Sequence, residues 1–143
     1  MEELIVYAVL CSIGYKRYDE YQEKLDQLFL QNPQNEVLLD LEGRNYKDAM
    51  LHLVHLFDER QLDTDMVLFG KKLMDRISDI YDTENNLERF GKRMYQLWQY
   101  LPSELSEKEP FDILCYADDP LSWGDEKQCR ELYEKALFYY DNR

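Results

Sequence analysis

Residues 63–102 read DTDMVLFGKKLMDRISDIYDTENNLERFGKRMYQLWQYLP, and their apolar side chains return every three or four positions. Met66, Phe69, Leu73, Met74, Ile77 and Ile80 form one stripe; Leu87, Phe90, Met94, Leu97, Trp98 and Leu101 form a second. That spacing suits an α-helix with one face on a core, not the strict alternation of a half-buried strand. Asp63 or Thr64 can cap the first helix, Thr83 stands before the second, and Pro102 ends it. Two consecutive amphipathic helices with a short polar join set the class as all-α.

The pattern continues towards the amino terminus. Glu2 to Ile13 is apolar on nearly every face, which places that helix at the centre of the fold, with Gly14 ending or bending it. Tyr15 to about Gln31 carries Tyr18, Tyr21, Leu25, Leu28 and Phe29 at helical spacing, and Asn32 with Pro33 stops it. Asn35 to Glu42, NEVLLDLE, has two readings: VLL suits a strand, while Asn35 as a cap with Leu38, Leu39 and Leu41 suits a short helix, which we adopt. Gly43 and Asn45 make a turn before a helix from Tyr46 to Arg60, striped by Met50, Leu53, Val54 and Phe57.

Beyond Pro102 the pattern loosens. Pro110 can open a short helix through Tyr116, and Asp118, Asp119 and Pro120 form a turn. A last helix from near Asp125 carries Leu132, Tyr133, Ala136, Leu137 and Tyr140 to the chain end; Tyr139 and Tyr140 cannot both face one core, so one is expected in water. No segment pair aligns as a repeat. The expectation is a single all-helical domain over residues 1–143, a bundle of about six or seven helices, with 35–42 taken as a short helix and an irregular or strand-like segment there as the alternative.

With 143 residues, 45% of them hydrophobic and 14% aromatic, the chain can bury a continuous core without disulfides or a structural metal. Its net charge of −13 repels phosphate backbones and anionic headgroups, so nucleic acid and membrane surfaces are not expected as partners. Acidic Glu2 and Glu3 precede the apolar run Leu4 to Cys11 where a signal peptide carries positive charge, and the run is shorter than the roughly 18 to 20 residues of a membrane span. A cytoplasmic location is expected. Cys11, Cys115 and Cys129 are odd in number and lack CxxC spacing, which points to reduced thiols, with Cys11 and Cys115 acting as small buried hydrophobes.

Catalytic chemistry finds little to use. On the helix from Tyr46, the residues Asp48, His52, His55 and Glu59 fall within about 60° of one another, and these are ligand types that hold zinc. The two histidines lie at i and i+3, without the i+4 spacing and intervening glutamate of HExxH, so we read a solvated face; a metal-dependent enzyme built on His52 and His55 is the remaining alternative. Gly14, Gly43, Gly70, Gly91 and Gly124 are scattered singly, there is no GxSxG elbow, and the rhythm of an EF-hand is missing. Neither an enzyme nor a cofactor is expected.

One segment differs from the rest. SELSEKEPFDILCYADDPLSWGDE, residues 103–126, sets eight acidic residues against one lysine, net −7, among Phe111, Tyr116 and Trp123. Carboxylates steer a cationic partner and desolvated rings anchor it, so Phe111, Asp112, Tyr116, Asp118, Asp119, Trp123, Asp125 and Glu126 are the candidate partner-binding residues. FDILCYADDPLSWGDE, with Tyr116 beside Asp118 and Asp119, resembles bacterial immunity proteins, the small acidic helical inhibitors of colicins and contact-dependent toxins. The likeness covers this segment alone, in a chain longer than the nuclease-colicin inhibitors. It implies inhibitory binding to a basic, nuclease-like toxin domain. The competing expectation is a helical adaptor that holds a peptide in an apolar groove, and the aromatic-rich faces leave a homodimer open.

Overall fold

The computed structural model describes residues 1–141, an all-helical arrangement with no strand among them. The chain divides into two compact units at Asp65 and Met66.

In the first unit, α1 (Glu2–Ser12) packs on α2 (Tyr18–Gln31) and on α4 (Tyr46–Asp58), while α3 (Glu36–Glu42) joins α2 to α4. Leu4, Ile5, Val6, Ala8, Val9 and Leu10 are all fully buried, so α1 is the centre of this unit, as its lack of a polar face requires. Each such large apolar side chain contributes about 1.5–3 kcal/mol by leaving water. The amide of Tyr15 donates to Leu10 O (2.9 Å) and that of Gly14 to Cys11 O (3.1 Å), a Schellman closure with Gly14 in the left-handed region. That closure draws Tyr15 into the end of α1, so α2 begins at Tyr18 rather than Tyr15. Asn35 accepts from the Leu38 amide at 3.1 Å, which settles 35–42 as a helix. α4 ends in the same closure as α1, but here Arg60 occupies the left-handed position at φ 62°.

The second unit contains α5 (Met66–Thr83), α6 (Leu87–Tyr100), the single turn α7 (Ser103–Ser106), two 3-10 turns (Phe111–Cys115 and Asp119–Trp123) and α8 (Glu126–Leu137). α5 starts after Asp65, beyond the expected caps Asp63 and Thr64, and α6 is capped by Asn86, which accepts from the Arg89 amide at 3.0 Å. Phe69, Leu73 and Ile77 of α5, Phe90, Met94 and Leu97 of α6, and Cys129, Tyr133 and Ala136 of α8 are buried. Phe90 meets Tyr133 edge to face at 4.9 Å and Tyr81 at 5.3 Å. α8 stops at Leu137, short of the expected chain end, and residues 142 and 143 of that expectation lie outside the described residues. Tyr139 and Tyr140 therefore follow in a turn, edge to face at 5.2 Å, and both are half-buried. The expectation that one stands in water fails because a helix no longer holds the two rings on opposite sides.

Candidate functional site

The two 3-10 turns carry Phe111, Asp112, Asp119 and Trp123, four of the eight candidate residues, and a 3-10 helix has three residues per turn. From Leu114 onward burial follows that period. Leu114, Ala117 and Pro120 point inward in register with Phe111; Asp112, Cys115, Asp118 and Leu121 are half-buried; Tyr116, Asp119 and Ser122 are exposed, although Ile113, ahead of them in the same row, is buried. The first turn packs on α6 and α8, and the second on α8. Gly91 of α6 makes the approach possible, since a Cβ there would lie 2.7 Å from Asp118 Cβ. Trp98 of α6 donates Nε1–H to Ser106 O at 2.8 Å and ties down the segment before the turns.

Trp123 breaks the period. It occupies the next inward register position after Pro120, yet it is 62% exposed. The second turn closes there: Gly124 adopts φ 79°, its amide donates to Leu121 O, and the Asp125 amide donates to Pro120 O at 2.9 Å. The chain reverses at Trp123, and the ring is left in water.

The structure thus separates the eight candidates. Tyr116, Asp119, Trp123 and Glu126 are exposed. Asp119 makes no ion pair among the described residues. Glu126 accepts from Arg130 at 3.0 Å. Asp125 is half-buried and acts as the N-cap of α8, accepting from the Gln128 amide at 3.0 Å. Asp118 is half-buried against α6, and this burial holds its carboxyl above the usual aspartate range. Asp112 is also half-buried. Phe111 is corrected from a surface anchor to a core residue: it is 1% exposed, and a Cβ on Gly70 of α5 would lie 3.2 Å from its ring. Burial, then the charges of Asp112 and Glu109, raise the Tyr116 hydroxyl above its ordinary value, so it remains a neutral donor.

The histidine face of α4 resolves into two separate contacts. His52 Nε2 lies 3.5 Å from Asp40 on α3, whereas His55 Nε2 lies 3.1 Å from Glu59. Asp48 accepts from Asn45 Nδ2 at 3.2 Å. No cluster of three His, Cys, Asp or Glu side chains suited to a metal occurs among the described residues. Cys11 and Cys129 are buried, and burial pushes each thiol up to about 11, far from a thiolate at neutral pH. Cys115 is half-buried and donates Sγ–H to Asp112 O. No helix of the described residues is long and apolar enough to cross a membrane.

Two surface features escaped the sequence reading. A cleft of about 400 Å³ in the second unit is lined by Met66, Val67, Leu105, Tyr139 and Tyr140, with Lys71, Lys108, Glu104 and Glu109. In the first unit, Leu30 and Leu39 are left in water. The signal for Leu39 was available: on α3 it sits one residue past Leu38 and two before Leu41, the residues that face inward. Comparison with known proteins finds no matching family model, curated protein or solved structure.

Proposed function

We propose that the chain is a non-catalytic inhibitor of the immunity or antitoxin type, acting in the cytoplasm. It neutralises a basic, nuclease-like toxin domain by direct contact through Tyr116, Asp119, Trp123 and Glu126. The observation that carries this proposal is Trp123: a large ring held in water within an acidic segment, at a register position whose predecessors are all buried. Such a ring is the kind of side chain that dominates interface energetics, and the acids around it steer a cationic partner. Because the turns are packed on α6 and α8, little ordering is needed when the partner arrives.

The test uses the toxin domain expected from the neighbouring gene, purified and titrated with this protein. Inhibition of the toxin is expected. Trp123→Ala should weaken binding about tenfold or more, and Asp119→Lys with Glu126→Lys should slow association and flatten its salt dependence, with melting temperatures lowered only slightly by loss of the Glu126–Arg130 pair. Absence of inhibition, or inhibition indifferent to all three changes, overturns the proposal. The cleft beside Tyr139 and Tyr140 favours a second function, an adaptor holding a peptide. In that case binding survives the two charge reversals and is lost with Val67→Asp, whose side chain is exposed.

A further inference from the structure

Two grooves meet on the first unit at Asp26. One, of about 360 Å³, is walled by Tyr18 and Tyr46 with Asp19, Gln22 and Glu23. The other, of about 570 Å³, is walled by Phe29, Leu30 and Leu39 with Glu42 and Gly43. Asp26 lines both. Tyr18 opens α2 and Tyr46 opens α4, and their rings lie 4.2 Å apart, tilted by 32°. Leu30 is 79% exposed and Leu39 is 56% exposed, the apolar end of the same face. Along α2, positions 18, 22, 26 and 30 recur every four residues and so form one ridge about 18 Å long.

Each part of the ridge favours a different piece of the same ligand. Aromatic faces attract a cation, and a carboxylate beside them strengthens that preference. Gln22 Nε2 donates to Asp26 Oδ1 at 2.9 Å and to Glu42 Oε2 at 3.3 Å, which holds the two acids together at the junction. Burial and the neighbouring Asp26 carboxyl push Glu42 up to about 7, so Glu42 keeps its proton in part near neutrality, where a cationic side chain can take its place. The exposed leucines offer area to an apolar side chain.

We infer that this face is a docking surface for a basic amphipathic segment of another protein. Its Lys or Arg lies over Tyr18 and Tyr46 beside Asp26, and its apolar side chain covers Leu30 and Leu39. Charge selects this occupant. A second copy of the chain would set Asp26 and Glu42 against their own kind in a molecule already at −13, and an anionic lipid surface would be repelled. The surface is independent of the one around Trp123.

The probe is a synthetic helical peptide with arginines on one turn and leucines about two turns along, titrated into the isotope-labelled protein. Shifts are expected at Tyr18, Gln22, Asp26, Leu30 and Leu39. Leu30→Ser with Leu39→Ser should weaken binding about tenfold or more while folding is kept, because both side chains already stand in water. Trp123→Ala should leave the peptide affinity unchanged, which separates this surface from the proposed inhibitor face. Shifts centred on residues 116–126, equal binding by the leucine double variant, or equal binding of a peptide with glutamates for arginines would each overturn the inference. So would sedimentation showing a dimer that the same double variant dissolves, because the occupant would then be a second copy.

Discussion

Phe111 and Trp123 are both large rings in one acidic segment, and their substitutions should have opposite consequences. Phe111→Ala empties a buried site against α5 and is expected to cost about 3–5 kcal/mol in chemical denaturation. Trp123→Ala removes a ring already in water and should change stability by less than about 0.5 kcal/mol while weakening binding of the proposed toxin domain about tenfold or more. A large stability loss in Trp123→Ala would show that the ring serves packing. The sequence marked the segment but not this division, because Phe111, Leu114, Ala117 and Pro120 recur every three residues, which is not the 3.6-residue period of an α-helix. Phe111, Leu114, Ala117 and Pro120 were all visible at that shorter interval. Asp118 misled for a related reason: its surroundings come from Gly91 of α6, distant in the chain. Reversal of charge at Asp119 and Glu126 is therefore the cleaner test of steering, since a lysine at 118 would have to be accommodated against α6.

At the scale of elements, helix interiors were legible, and so were ends marked by a single signal, such as Gln31 before Asn32 and Pro33 or the Asn35 cap, while the start of α5 was not. The stripes of α5 and α6 located both helices, but Asp63, Thr64 and Asp65 are three successive residues able to cap, and composition does not choose among them. The end of α4 gives a sharper case. Arg60 occupies the left-handed position that Gly14 fills after α1, and a side chain there is disfavoured by roughly 1 kcal/mol. Arg60→Gly should therefore raise the unfolding free energy measured by urea titration by about 0.5–1 kcal/mol; a decrease would mean that contacts of the Arg60 side chain outweigh the backbone relief. The join of α2 and α3 should be sensitive to pH. Glu42 titrates near 7 in the folded chain against an ordinary value of 4.5, so the folded state holds the additional proton between those values. Its stabilising contribution is fully present below about 4.5 and is lost as pH rises through about 7. Glu42→Gln removes that loss, so the variant should gain on the parent from pH 5 to pH 8 in denaturant titrations. A difference that stays flat across this range would show that Glu42 is not raised in the folded chain.

At the scale of the whole molecule, net charge was the most legible quantity and the division into two units the least. Residues 58–66 contain neither glycine nor proline, so nothing in composition marks the boundary at Asp65; it arises from which helices bury one another's stripes. The charge of −13 has consequences of opposite sign for folding and for association. Self-repulsion disfavours the compact chain, and added salt screens it, so the urea midpoint should rise between about 0.02 and 0.2 M sodium chloride. The same screening shortens the reach of Asp119 and Glu126 towards a cationic toxin domain, so the association rate should fall, by about tenfold or more over that interval. Dissociation should change much less, because the Trp123 contact is short-ranged and apolar. Stopped-flow binding and equilibrium unfolding on the same salt series measure both slopes. If folding and association moved in the same direction, salt would be acting through the fold, and charge would not be what brings the partner to this surface.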